Sequence, residues 1–158
     1  MRCYHLCNMY LSSIQQGVQS AHAQMELFVK YRDISRTSTA MLYEWAKNHK
    51  TMIVLNGGFL YDMEESLDFF ERNRSFYPFA SFYESKEALG GILTNIAIVL
   101  PEKIYKTSEL IRNRVLDSDL QPTENSLEED LELFRSFGPF TKFEIELCSF
   151  MNQFRLAI

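Results

Sequence analysis

The residues best suited to chemistry gather where a strand gives way to a helix, along Leu11-Ser12-Ser13-Ile14-Gln15-Gln16-Gly17-Val18-Gln19-Ser20-Ala21-His22. The first four N–H groups of a helix lack intrahelical partners and carry the positive end of its dipole. Such a turn suits a phosphate or a carboxylate. Ser12 or Ser13 is the expected N-cap, with the N–H groups of Ile14 and Gln15 open to a cleft. Farther along, Gln15, Gln19, His22 and Glu26 fall on one line of the helix. Amides and an imidazole so arranged can orient a phosphate, a base edge or a water. His22 sits at the margin of the apolar face, where a histidine serves a core hydrogen bond equally well.

A second set follows a later strand, where Glu84 and Glu87 flank Lys86. A carboxylate there can act as a base or hold a substrate amine, and a solvated turn explains the same residues. Asn56-Gly57-Gly58-Phe59 has neither the phosphate-loop nor the dinucleotide pattern, so it is first of all a turn. Cys3, His5 and Cys7 alternate and project from one strand face. A zinc site needs more ligands than these, and His49 and Cys148 are remote in sequence. No metal and no cofactor are expected. No Ser-His-Asp or Cys-His set declares itself.

The elements that must position these groups follow from periodicity. Cys3–Leu11 has apolar residues on both faces, the mark of a central strand covered on each side. Ile14, Val18, Ala21, Met25 and Phe28 recur at helical spacing and form the expected buried stripe of a helix from Ser12 to about Tyr31. Gly17 within it implies close approach to a strand or to a ligand. A polar loop, Arg32–Thr37, precedes a helix from about Ser38 to His49 and a short strand, Thr51–Leu55. Asp62 with Glu65 signals a third helix start. Strands are then expected from Tyr77 to Tyr83, with Pro78 restricting it to an edge or a first residue, and from Ile92 to Leu100. Helices beginning at Thr107 or Ser108, at Ser126 with Glu129, and at Thr141 with Glu144 complete the chain.

The order β-α-α-β-α-β-β implies an α/β fold, a four-stranded mixed β-sheet sandwiched by α-helices, with a C-terminal helical extension. The expected division is a core over 1–101 and an extension over 102–158 packed on it as a single structural domain. Binding should lie beyond the carboxyl ends of the strands, where Leu11, Asn56 and Glu84 converge.

At 158 residues and a formal charge of −5, the chain does not attract polyanions as a whole. A nucleic-acid partner would need a local basic patch. Three cysteines without disulfide spacing, no signal-type N-terminus and no long apolar window point to a cytoplasmic protein with no membrane contact.

The segment Gly17-Val18-Gln19-Ser20-Ala21-His22-Ala23 resembles the Ala-Ala-Gln-Cys-Ser-His-Ala signature in the first helix of the type-2 peptidyl-tRNA hydrolases. Leu42-Tyr43-Glu44-Trp45 is similar to that family's Leu-x-x-Trp helix. Phe82-Tyr83-Glu84 and Leu93-Thr94-Asn95-Ile96-Ala97 resemble the Phe-x-Glu-Pro-Asp-Leu…Leu-Thr-Ala-Ile-Ala pattern of its phage and bacterial variants. The resemblance covers about Met1 to Pro101. It implies hydrolysis of the ester in peptidyl- or N-blocked aminoacyl-tRNA, with Gln15, Gln19, His22 and Glu84 in catalysis. Ser12, Ser13, Arg32, Arg36, Lys86 and Thr94 would bind the tRNA 3′ end or a nucleotide-like ligand. The chain departs from the family in lacking the lysine that precedes the Gln-x-x-His segment. The alternative is a non-catalytic relative, binding a small nucleotide-like ligand, a protein partner or a second copy through the cleft or the C-terminal helices.

Overall fold

The computed structural model describes residues 1–32, 37–73, 76–116 and 131–157. Expectations resting on Arg36 or on the Ser126–Glu129 helix start lie outside them. Two compact units form, Met1–Leu100 with Phe154–Ile158, and Pro101–Gln153.

The first unit is built on β1 (Arg2–Cys7), α1 (Ser13–Lys30), α2 (Thr37–Glu44), β2 (Met52–Asn56), α3 (Leu60–Arg72), β3 (Phe79–Tyr83), the short α4 (Lys86–Leu89) and β4 (Leu93–Leu100). A π turn, Trp45–His49, extends α2 and stops at Lys50 in the left-handed region, φ 56°. The sheet is mixed and has five strands, in the order β3-β4-β1-β2-β5. The fifth, β5 (Arg155–Leu156), corrects the expectation of four: it adds antiparallel to β2 at Leu55 and Asn56. A two-residue strand has no periodicity to read, and it forms because the edge of β2 would otherwise leave ladder groups unpaired.

The remaining pairings follow the connection lengths. β1 and β2 are parallel, joined by helical crossovers, and β4 is antiparallel to both β1 and β3. β1 is therefore central, and β3 is the edge strand beginning just after Pro78. The carboxyl ends of β1, β2 and β3 and the start of β4 share one rim.

The chief surprise is the rotation of α1. Its buried residues are Gln16, Gln19, Ser20, Ala23 and Leu27. The stripe expected inside is outside instead: Ile14 is 82% exposed and Met25 62%, with Val18 and Ala21 also exposed and Phe28 half-buried. A Cβ on Gly17 would meet nothing within 4 Å, so neither a strand nor any other segment of this chain requires glycine there. Leu27 and Ala23 pack with Cys3, Leu42, Trp45, Ala97 and Val99 in the core on this side of the sheet. On the opposite side Phe70 of α3 meets Phe79, with ring centroids 5.8 Å apart. This arrangement gives a direct test: Leu27→Ala should cost about 2–5 kcal/mol of unfolding free energy. Met25→Lys, despite its place in the apolar stripe, should stay within about 0.5 kcal/mol. Urea denaturation of both variants distinguishes the two faces.

The second unit contains α5 (Glu102–Leu116), a helical stretch over 131–136 (α6) and α7 (Lys142–Asn152). α5 starts at Glu102, earlier than Thr107 or Ser108, because Pro101 is already compatible with a first helical turn. Thr141 and Glu144 form the expected capping box, the Thr141 N–H donating to Glu144 Oε2 at 2.8 Å. Lys103 pairs with the same carboxylate at 2.9 Å. The Ser108 hydroxyl donates to the Cys148 carbonyl at 2.8 Å, tying α5 to α7. Among the described residues no helix is long and apolar enough to cross a membrane.

Candidate functional site

At the shared rim, α1 brings its second turn against the ends of β3 and β4. The Gln19 amide nitrogen donates to Glu84 Oε2 at 2.8 Å, and the Thr94 hydroxyl donates to Gln19 Oε1 at 2.9 Å. Thr94 is wholly buried and shares its proton with the Phe82 carbonyl at 3.2 Å. An ionised carboxylate only accepts, so the amide must turn its nitrogen to Glu84 and its oxygen to Thr94. Gln19 is thereby locked in one orientation.

Glu84 Oε1 accepts from the Ser85 N–H at 2.8 Å. That backbone bond, then the Gln19 amide, holds the Glu84 carboxyl below its ordinary range, against a smaller opposing effect of burial. Glu84 is an ionised anchor near neutral pH. One turn beyond Gln19, the exposed His22 ring lies 4.6 Å from the Phe82 ring at 57°. Gln19, Glu84 and Thr94 are therefore joined in space, with His22 on the next turn of α1.

The other site residues are placed differently. Gln15 is engaged locally: its Oε1 accepts from the Ser12 N–H at 2.9 Å and from the Ser12 hydroxyl at 3.0 Å. Ser12 is the N-cap and completes a capping box with Gln15. A glutamine three residues after a serine cap carries that signature, and capping accounts for Gln15 without catalysis. Ser13 opens α1 and is exposed. Lys86 is exposed at the start of α4, near Glu84 in sequence. Arg32 follows the far end of α1, roughly 17 Å along the axis from Gln19 at 1.5 Å per residue. It cannot join Lys86 in a basic rim around this cluster. Asn56, expected at the turn, accepts from the Gly58 N–H at 2.9 Å.

Beneath this cluster lies a buried polar chain whose key member, Asn95, is not evident from periodicity. Asn95 Oδ1 lies 3.1 Å from His5 Nδ1, and Asn95 Nδ2 donates to Cys7 Sγ at 2.8 Å and to Ser20 Oγ at 3.2 Å. With the carbonyl accepting, His5 carries its proton on Nδ1, and Nε2, 3.4 Å from Cys3 Sγ, accepts from that thiol. Ser20 closes the chain by donating to the Gln16 carbonyl at 2.7 Å. Burial lowers His5 to about 4, against a smaller upward pull from Asn95. Burial pushes the Cys3 thiol far up, and raises Cys7 despite hydrogen bonds from Ser20 and Asn95. Neither thiol is a ready nucleophile.

Cys3, His5 and Cys7 do project from one face, as alternation requires, but hydrogen bonding occupies them. Among the described residues no group of three or more His, Cys, Asp or Glu is placed to hold a metal ion. The only sequence signal for Asn95 is a lone amide in the most apolar strand run of the chain. Compared with known proteins, the chain matches no protein-family model and no curated protein.

Proposed function

We propose that the protein is a divergent peptidyl-tRNA-hydrolase-like enzyme, cleaving the ester that joins a peptidyl or N-blocked aminoacyl group to the tRNA 3′ end. The observation that carries this reading is the Thr94–Gln19–Glu84 hydrogen-bond chain beside the exposed His22. A locked amide and an ionised carboxylate position a water beside the ester carbonyl. His22 accepts the water proton as the carbonyl is attacked and returns one to the departing ribose hydroxyl. The products are a carboxylate and a free 3′ end. With Arg32 at the far end of α1, contact centres on the acylated nucleotide end.

The alternative, a non-catalytic relative holding a nucleotide-like ligand at the same rim, is favoured by one observation: Ser12, Ser13 and Gln15 occupy the neighbourhood where the family has its lysine, and Ser12 and Gln15 are engaged with each other as a cap. Hydrolysis of N-blocked aminoacyl-tRNA separates the two. Wild-type turnover should fall roughly a hundredfold or more in Gln19→Ala and Glu84→Gln. Turnover indistinguishable from buffer in the wild type removes the enzyme reading.

A further inference from the structure

We propose that Tyr10 and Phe59 form a stacking platform for a nucleobase at the rim where β1 and β2 end. The proposal deepens the nucleotide-end reading above and rests on it for the identity of the ligand. Tyr10 is 77% exposed and Phe59 46%, yet their ring centroids lie 5.0 Å apart at 52°. Two large rings held together in solvent at the carboxyl end of a mixed sheet stand where such folds bind ligands.

The loops carrying the rings are tied down. The Tyr10 N–H donates to Asn8 Oδ1 at 3.1 Å, and the buried Asn8 side chain donates to the Leu93 carbonyl at 3.4 Å. The Met9 N–H donates to the Gly58 carbonyl at 2.9 Å and the Gly57 N–H to the Cys7 carbonyl at 2.7 Å, joining the two loops. A Cβ on Gly57 would come 3.0 Å from that carbonyl oxygen, and Gly58 has φ +83°. The Phe59 N–H is held by Asp62 Oδ2 at 2.8 Å. The backbone that carries both rings is thus anchored before a ligand arrives, which lowers the ordering cost on binding.

The span suits a nucleotide. β3, which leads to Glu84, lies two strands from β1 and three from β2, roughly 10–15 Å at the usual strand spacing. A base on the platform would stand on the same rim as Gln19 and Glu84, at that distance from them. A base also matches an exposed phenol-and-phenyl pair better than an aliphatic ligand, since it offers a π face and a polar edge.

The test is an NMR titration of the full chain with AMP and, separately, with ribose 5-phosphate, which lacks the base. AMP should bind at least tenfold more tightly. Tyr10→Leu and Phe59→Leu should each weaken AMP roughly five- to hundredfold, whereas Tyr10→Phe should stay within about twofold. Equal affinity for AMP and ribose 5-phosphate, or AMP binding unchanged in Tyr10→Leu, overturns the platform. The readout needs no ester cleavage. AMP binding without turnover keeps the platform and discards the hydrolase; turnover without base preference does the reverse.

Discussion

Asn95→Ala should lower the unfolding free energy by about 3–5 kcal/mol, the largest single-residue loss expected outside the apolar core. Asn95 is fully buried, and its amide serves His5, Cys7 and Ser20 together. Truncation leaves the His5 Nδ1–H without its acceptor and Ser20 without the donated N–H, and it opens a void between β4 and α1. Each unmade buried hydrogen bond costs about 1–3 kcal/mol, and the void adds to this. Asn95→Leu would refill the void without restoring the bonds, so it should recover only part of the loss. Urea unfolding with an unchanged m-value is the measurement. A cost below about 1 kcal/mol for Asn95→Ala would mean that water replaces the amide, and the chain from Cys3 to Gln16 would lose its structural role.

The second large effect is on pH. His5 has a folded pKa of about 4, well below the ordinary value of 6.5, because burial disfavours the imidazolium. Between these values the unfolded chain holds the proton and the folded chain does not. Stability from this group is therefore complete above pH 6.5, falls as pH drops towards 4, and levels off below. The total is on the order of 3 kcal/mol. Glu84, held low by Ser85 and Gln19, acts in the same direction but only in the carboxylate range. Denaturation of the wild type and of His5→Gln at pH 7, 5.5 and 4.5 should show a steep slope in the first and a flatter one in the second. The His5 ring resonances should stay in the neutral position until close to pH 4. A midpoint near 6.5 would show that the ring is hydrated, and the stability argument would fall with it.

Much of the fold is legible in residue spacing, and the reason is local. Met52–Leu55 and Leu93–Leu100 lie in short apolar runs bounded by turn residues, and each is a strand. The strand expected over Cys3–Leu11 ends instead at Cys7, where Asn8 accepts from the Tyr10 and Leu11 N–H groups and turns the chain. The Ser12-Ser13 pair and Thr141 with Glu144 mark helix starts because a cap needs only neighbours in sequence, and the structure selects Ser12 and gives Gln15 to its capping box. Connection length decides strand direction, so the parallel β1–β2 pair and the antiparallel β3–β4 pair follow from it. Near α3 the same logic misplaces the start: Asp62 is not the cap but the group that accepts the Phe59 N–H from within the first turn.

The α1 face and the cluster it creates are tertiary decisions. Periodicity offers the stripe of Ile14, Val18, Ala21 and Met25, and against an apolar sheet face that stripe would turn inward. The sheet face awaiting α1 carries His5, Cys7, Thr94 and Asn95, whose polar atoms need partners once water leaves. Turning Gln19 and Ser20 inward supplies partners for Thr94, Cys7 and Asn95 at the cost of leaving the apolar stripe in solvent. Unmade buried hydrogen bonds are costly, so the polar match can outweigh several exposed aliphatic side chains. That same rotation delivers Gln19 to Glu84 and Thr94. The sequence by itself determined four of the strands, the helices α1, α2 and α3 between them, the caps of α1 and α7 and the direction of the β1–β2 and β3–β4 pairings, because those depend on neighbours along the chain. Only the tertiary structure decided which side of α1 is buried, the fifth strand and the Asn95 chain, because those depend on what a distant strand presents.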